Sequence, residues 1–481
     1  MKIIPRIHTR KGKVIHESVN AFFEKKVFIP LAQEENFSPT CLVKKGDVVR
    51  EGDVIAENKN FSDTSLHTKL HASFPGTVEE VSSAFSPDGK KSDCVSIRLH
   101  GSFSYSKKKQ IAVSFDTFQS ELLPAKIATL GILNTFETLH PRSLANDIAF
   151  AKKSAHRILF VRLFDEDPDR LTDSLLFEIF PKKIQNGANI LAQALYADAI
   201  IFAIDEKKLR EKKLSKQNSI DKNFRDKNSN NKKSNEKNLA KQNFVQENSI
   251  DKNAIETKFT FSVPHIFLPV NIEKYPNGFK EELLALSKKK LRDEPFSFVN
   301  DKSLFVDSTT LVAVSNAIEK NAPCIESYVY VSGDCIPTSA LLKVRLGTTM
   351  KHLAEQCGGL KKDVGMIVVN GSLLGTLSRS LEAGITKYVK SVIFLSKKHV
   401  ALQCLDTCND CKKCRDACPR NLSPDILWRE ATSGKNYESE FAKSSKLCSA
   451  CALCNFVCPS RLPLCQSVQI LKSTVQKENH Q

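Results

Sequence analysis

No stretch of the 481-residue sequence reaches 18 consecutive apolar residues, the longest runs being short ones such as Ala199–Ile204, so none is long enough to span a bilayer as a helix. The amino terminus, Met1-Lys-Ile-Ile-Pro-Arg-Ile-His8, lacks the apolar core of a secretory signal, and the expectation is a protein that stays in the cytoplasm. Acidic charge is in deficit, with 54 Asp and Glu against 71 Lys and Arg, a formal net charge of +17. Residues 205–258 hold 15 basic and 9 acidic side chains, and the rest of the chain still carries 56 against 45. That excess suggests a soluble chain resting against something anionic; it does not by itself indicate nucleic acid, and a generally basic surface explains it equally well.

Cysteine is abundant. Fifteen cysteines without an export signal argue against a disulfide framework and for thiolate ligands in a reducing compartment. Cys41, Cys94, Cys324, Cys335 and Cys357 are scattered, whereas the other ten fall between Cys404 and Cys465.

The length allows three or four domains. In residues 41–57, short β-branched runs are separated by Gly46-Asp47 and Gly52-Asp53, which read as turns between short strands. A second strand set follows at Leu70–Val78, with a turn at Pro75-Gly76. The pattern is similar to the barrel-sandwich hybrid of biotinyl and lipoyl carrier domains, and residues 1–105 are assigned to such a module. Its only candidate for a modified lysine, Lys69, lies too near Ala72 to form a carrier tip, so a structural, unmodified module is expected.

Residues 106–204 and 259–324 alternate apolar runs, such as Ile158–Phe164, Ala197–Ile204 and Val263–Val270, with helix-length segments such as Phe177–Leu195 and Phe279–Lys290. This is the pattern of a Rossmann-like α/β region with a parallel sheet, although no G-x-G-x-x-G loop occurs in it. Between the two halves, residues 205–258 are almost entirely Lys, Asn, Ser, Asp, Glu and Gln, and read as a disordered insertion. The insertion repeats Asn218–Asn223 at Asn248–Asn253, a single duplication and no solenoid; a basic tether for an anionic partner is the alternative. Residues 325–400 read as a β-grasp module: strand Ser327–Gly333, a helix begun near Thr348 and closed by Gly358 and Gly359, and strand Met366–Gly371.

Residues 401–481 carry the decisive pattern. Cys408-x-x-Cys411-x-x-Cys414-x-x-x-Cys418-Pro419 is repeated as Cys448-x-x-Cys451-x-x-Cys454-x-x-x-Cys458-Pro459. In such runs three thiolates from one tight loop cap three irons of a cubane, while the fourth, just before a proline, reaches the neighbouring cluster. One [4Fe-4S] cluster is therefore expected on Cys408, Cys411, Cys414 and Cys458, and the other on Cys448, Cys451, Cys454 and Cys418. A zinc reading needs four ligands per tetrahedral site and leaves the third spacing and the Cys-Pro steps unexplained. Ile426, Leu427 and Trp428 in the separating segment are expected to form a helix packed on the wider protein, and Lys412, Lys413, Arg415 and Arg420 either offset thiolate charge or are simply solvated. Cys404 and Cys465, outside both runs, are expected to be buried structural thiols. Paired clusters carry single electrons, which points to electron transfer; a scaffold held together by its clusters is the rival reading.

The order of these modules, with Val43–Asp47, His71–Ser73, Tyr275–Gly278, Val329–Gly333, Cys357–Gly359 and Cys408–Pro463, resembles RnfC, the C-type subunit of the Rnf electron transport complex. The middle region is also similar to the A-type subunit of the Na⁺-translocating NADH:quinone reductase. The resemblance implies a peripheral subunit on the cytoplasmic face of the cell membrane, part of an ion-translocating oxidoreductase working between NADH and ferredoxin. Integral membrane and ferredoxin-like subunits would be its partners, and nucleic acid would not; a soluble ferredoxin-dependent oxidoreductase is the alternative. It also implies NADH and a non-covalent FMN. Here the chain departs from the family: Gly131-Ile-Leu-Asn-Thr-Phe-Glu-Thr-Leu-His-Pro-Arg142 stands where a glycine-rich loop runs into Phe-Pro, and Val161–Pro168 replaces an Asn-x-x-Glu-Cys-Glu-Pro-Tyr stretch. Leu133, Asn134 and Thr135 should keep phosphates from the backbone, so FMN and NADH are assigned no residues and an NADH dehydrogenase activity of the chain itself is left open.

Overall fold

The computed structural model describes residues 18–34, 39–58, 66, 68–100, 119–137, 141–210, 260–361, 363–400, 407–433 and 439–478. Most of the Lys/Asn-rich insertion, together with Cys404 and His140, lies outside them.

Near the amino terminus, an antiparallel sheet in the order Lys26–Pro30, Lys91–Leu99, Gly76–Phe85, Val48–Val49 faces a second sheet of Pro39–Cys41, Val54–Asn58 and Lys69–His71. Val27 pairs with Ile97 and Ile29 with Val95, and these side chains fill the space between the sheets with Ile55, Leu70, Phe74 and Val78. The two expected turns are built alike. Asp47 accepts from the amide of Lys44 at 2.9 Å and Asp53 from that of Arg50 at 2.7 Å, with Gly46 and Gly52 at φ +91° and +87°. At Pro75-Gly76 the expectation changes: the chain bends at Ser73-Phe74, and Gly76 already opens a strand, where a Cβ would lie 2.1 Å from the carbonyl oxygen of Arg98. Lys69 lies within a strand.

The second body is a parallel sheet in the order His265–Val270, Ala199–Asp205, Ile158–Arg162, Leu304–Asp307. Its strands are nearly continuous apolar runs because both faces are covered, one by Leu159, Val161, Ile200 and Phe202, the other by Phe160, Ile201, Ala203 and Phe305 with their neighbours. Helix Lys280–Lys290 matches the expected segment, but Phe177–Leu195 is divided. One helix, Thr172–Ile179, ends before Pro181, which starts the next, Pro181–Leu195, because proline suits a first turn and breaks an interior. Pro181–Leu195 packs on helix Ser308–Glu319 at Gly187, where a Cβ would stand 2.2 Å from the carbonyl oxygen of Leu311.

A third, six-stranded mixed sheet runs Val19–Asn20, Ala340–Arg345, Glu326–Ser332, Ser391–Ser396, Val364–Val369, Thr376–Ser378, with helix Met350–Gln356 capped by Thr349. It is larger than the strand–helix–strand unit legible in sequence, and it takes in Val19–Asn20 from the chain's start, paired with Leu342–Lys343.

The cysteine-rich end is helical: Lys413–Ala417, Pro424–Ser433, Glu440–Ser444, Leu453–Val457 and Leu464–Glu478. Helix Pro424–Ser433 does form around Ile426–Trp428, but Leu427 buries itself against Val468, Leu471 and Val475 of Leu464–Glu478 rather than against the wider protein. The tie to the parallel-sheet body is made instead by Tyr275, whose hydroxyl donates to the Cys451 carbonyl at 2.8 Å, and by Arg420 with Glu282 at 3.2 Å. Among the described residues no helix is long and apolar enough to cross a membrane.

Candidate functional site

The two cysteine runs fold as the same local structure twice. Asp410 and Lys412 take left-handed backbone in the first, and Ala450 and Ala452 take it at the matching places in the second, with φ between +53° and +59°. An L residue there costs roughly 1–2 kcal/mol, so the curl is retained strain, and it wraps each run into one tight loop that carries three successive cysteines. A five-residue helix follows each curl and stops at Cys418 or Cys458, which are extended (ψ 118° and 113°) because the residue before a proline is driven out of helical conformation. That extended step takes the fourth cysteine out of the helix that precedes it.

Cys418 lies in an apolar-walled pocket with Cys448, Cys451 and Cys454, bounded by Leu422, Leu427, Leu453 and Val468. Cys458 packs with Cys408 and Cys414 beside Leu462, Leu464 and Trp428, and Cys454 borders this group as well. Cys411 is exposed. Cys465, expected as a structural thiol, is buried as expected but stands in the pocket of Cys418, within hydrogen-bond reach of Cys448 and Cys454. The signal for it was its offset: it follows Cys458 by the same seven residues that separate Asp425 from Cys418.

The surroundings differ between the runs. The first is charged, with Arg415 holding Asp425 through bonds of 2.7 and 2.6 Å and Arg429 paired to Asp410, and the Arg415 guanidinium keeps the Asp425 carboxyl below the usual range. The second carries no charged residue between Cys448 and Cys458; Gln469 Nε2 donates to Cys448 Sγ at 3.3 Å and Lys472 Nζ to its carbonyl at 3.0 Å. Burial pushes the Cys414 and Cys451 thiols up to about 11, so they hold their protons until a metal displaces them. Among the described residues no three His, Cys, Asp or Glu donors converge where a single metal ion would sit. A cubane places its four irons at separate corners and needs no such convergence. Eight soft donors in apolar, partly donor-lined walls fit iron–sulfur clusters.

The strand ends of the parallel sheet are where an open α/β fold takes a nucleotide, and here buried charges of the chain itself occupy part of that space, beside a cavity of about 820 Å³ lined by Thr135, Thr309, Thr310, Lys126 and Lys387. Arg162, fully buried, donates to Glu166 at 2.7 Å and to the carbonyls of Gly278 and Phe136 at 2.8 and 2.7 Å. Arg170 pairs with Asp165 and Glu166, and Lys390 bridges Asp173, at 2.9 Å, and Asp307. Burial alone would raise the Asp307 carboxyl, but Lys390 and Arg162 hold it below its ordinary value. The amides that would meet a phosphate are already engaged: Thr309 N donates to Asp173 at 2.9 Å, Thr310 N to Asp307 at 2.7 Å, and Thr135 N to the Thr310 hydroxyl at 3.1 Å. Asn134 is likewise spent on Asp147 and the Phe305 carbonyl. The amides of Thr309, Thr310 and Thr135 are therefore engaged within the chain and are not free to meet a phosphate of FMN or NADH.

Comparison with known proteins agrees with these features. Residues 7–102 match the RnfC barrel sandwich hybrid domain family, and residues 407–463 match a 4Fe-4S dicluster domain family. The C-type subunit of the proton-translocating ferredoxin:NAD(+) oxidoreductase complex of Clostridium ljungdahlii is 24% identical over 84% of this chain and 78% of its own length. Its counterpart in the ion-translocating oxidoreductase complex of Haemophilus influenzae is 25% identical over 86% of this chain, which spans only 45% of that relative. The counterpart from Methanosarcina acetivorans is 33% identical over 25% of the chain. An NAD⁺-reducing [NiFe]-hydrogenase structure, at 12% identity and a TM-score of 0.43 over 75% of this chain and 64% of its own, is too distant to build on. Over most of its length this chain is a homologue of the C-type subunits of ion-translocating oxidoreductase complexes, with an RnfC barrel-sandwich hybrid domain near one end and a 4Fe-4S dicluster domain near the other.

Proposed function

We propose that the chain is the electron-transfer subunit of an ion-translocating ferredoxin:NAD oxidoreductase complex, passing single electrons through two [4Fe-4S] clusters. The observation that carries this is the repeated cysteine run folded into one small helical unit, with all of its eight cysteines except the exposed Cys411 gathered in apolar surroundings. A bound cubane supplies a one-electron site delocalised over iron and sulfide. The chain's own residues do the rest. Cys408, Cys411, Cys414 and Cys458 hold one cluster, and Cys448, Cys451, Cys454 and Cys418 hold the other. In favour of the crossing is that Cys418 shares a pocket with thiols of the second run and Cys458 packs on those of the first. Leu422, Leu427, Leu453 and Val468 keep water from one site, and Leu462, Leu464 and Trp428 from the other.

In this reading the parallel-sheet region, 106–204 with 259–324, is a Rossmann-like scaffold, and residues 325–400 are a β-grasp module, both serving to seat residues 401–481 against Tyr275 and Glu282. Residues 1–105 are the barrel-sandwich module, and 205–258 an insertion. The protein sits peripherally on the cytoplasmic face of the cell membrane beside integral membrane and ferredoxin-like subunits, and its net +17 suits an anionic surface.

The test is to mix anaerobically reconstituted protein with reduced ferredoxin and follow its cluster absorbance, alongside affinity purification of the tagged chain from native membranes. Bleaching within the mixing experiment and co-purifying integral membrane proteins are expected. A chain recovered alone from the soluble fraction would favour a soluble oxidoreductase, and clusters that no protein donor reduces would favour a scaffold.

A further inference from the structure

The two cysteine runs match in spacing, and the two residues between the second and third cysteine of each meet opposite surroundings. They are Lys412-Lys413 in the first run and Ala452-Leu453 in the second, on the same backbone, with Lys412 at φ +59° and Ala452 at φ +58°. In the second run this edge is docked on the chain's own body. Leu453 has no exposure and packs with Tyr275 and Ala417, beside Phe279 and Leu373, and the Tyr275 hydroxyl donates to the Cys451 carbonyl at 2.8 Å. Cys451 itself is 8% exposed. In the first run the matching edge faces solvent. Cys411 is exposed, and so are Asn409, Lys412 and Lys413 around it. Neither lysine makes an ion pair with a described residue. Nearby charges are matched within the chain, Asp410 by Arg429 and Asp425 by Arg415, and the exposed Asp416, three residues after Lys413, still leaves the edge with a positive excess.

One edge is apolar and covered while its counterpart is charged and open. That contrast separates a lasting contact from a brief one, since permanent interfaces resemble a core, whereas the encounters of electron carriers are small and polar. A surface ligand also brings the site of its run nearest to a visiting protein, and electron tunnelling falls steeply with distance. We propose that the Cys411 edge, with Lys412 and Lys413, is the docking face for a one-electron carrier protein with an acidic rim, and that electrons cross between that partner and this chain at the first-run site. A carrier arriving reduced gives up one electron and leaves oxidised; the chain takes up that electron at the first run and is reduced by one unit, with no bond made or broken. The two lysines steer the encounter, acting on the rate of association more than on lasting affinity. The inference rests on the two-cluster reading above.

The test is stopped-flow reduction of the full reconstituted chain by a small acidic ferredoxin over a range of salt, with dithionite as a reductant that needs no docking face. In the unaltered protein the ferredoxin rate should fall as salt is added. Lys412→Glu combined with Lys413→Glu should lower the low-salt rate about tenfold or more and remove its salt dependence, leaving the dithionite rate and the cubane content nearly unchanged. Lys412→Gln with Lys413→Gln, which removes charge without reversing it, should give a smaller loss and decides the matter if the reversal costs cubanes. The same two-charge reversal at the exposed Lys443 and Lys446, beside the second run, should change the ferredoxin rate little. A ferredoxin rate indifferent to both Lys412/Lys413 variants, or slowed equally by the Lys443/Lys446 reversal, would overturn the inference alone. An unchanged rate together with lost binding to anionic vesicles would overturn it too, by assigning the lysines to a lipid surface. Fewer than two cubanes in the unaltered protein would overturn the cluster reading and the inference with it.

Discussion

Cys418 and Cys458 owe their extended backbone to the proline that follows each of them, and that step takes each cysteine out of the five-residue helix before it. If it also delivers them to the opposite cluster, Cys418→Ser should damage the site of Cys448, Cys451 and Cys454 and spare that of Cys408, Cys411 and Cys414. Mössbauer spectra of the reconstituted variant would show which cubane is lost; loss of the first-run cluster would refute the crossing. The buried ions at the strand ends are a second residue-scale matter. Lys390 has no exposure and serves two carboxylates, so Lys390→Met should cost about 3–5 kcal/mol by stranding Asp173 and Asp307, read as a lower urea midpoint. Because Asp307 is held below its ordinary value, its stabilising share is complete above the unfolded range and lost only as pH falls through the depressed folded value. The destabilisation of Asp307→Asn should therefore persist at mildly acid pH and shrink only in strong acid. The cysteine spacing made the proposed cluster ligands legible as candidates, since the pattern is local. Lys390 and Asp173 are 217 positions apart, and nothing in either neighbourhood announces the other.

At the scale of elements, the parallel strands were readable because strands covered on both faces must be apolar throughout, and the helices because their periods and caps are local. What could not be read was termination against context. Phe177–Leu195 has one apolar rhythm, yet Pro181 resets the helix axis; Ser391–Ser396 sits in mid-sheet only because residues far upstream flank it. The loop from Gly131 was suspect for want of glycines. The structure adds that the amino terminus of helix Ser308–Glu319 spends its amides on the chain's own carboxylates. Calorimetry of the reconstituted protein with NADH and with FMN should accordingly show no micromolar binding. Micromolar affinity, together with cluster reduction by NADH alone, would restore a dehydrogenase role to this chain.

For the whole molecule, the insertion interrupts two strands that lie side by side and parallel, Ala199–Asp205 and His265–Val270. Such a pair needs a crossover of roughly a dozen residues or more, which the composition of 205–258 disguised as dispensable sequence. Replacing 211–258 with a Gly/Ser linker of about a dozen residues should leave melting temperature and cluster content nearly unchanged, whereas direct closure should lower both. A large drop with the linker would mean that the insertion packs. All of these modules converge on one claim, that the chain is built to carry electrons through paired cubanes. Iron and acid-labile sulfide assay of the anaerobically reconstituted protein tests it most directly. About eight irons and eight sulfides per chain are predicted from the two runs; a preparation that takes up zinc and holds no sulfide would contradict the account.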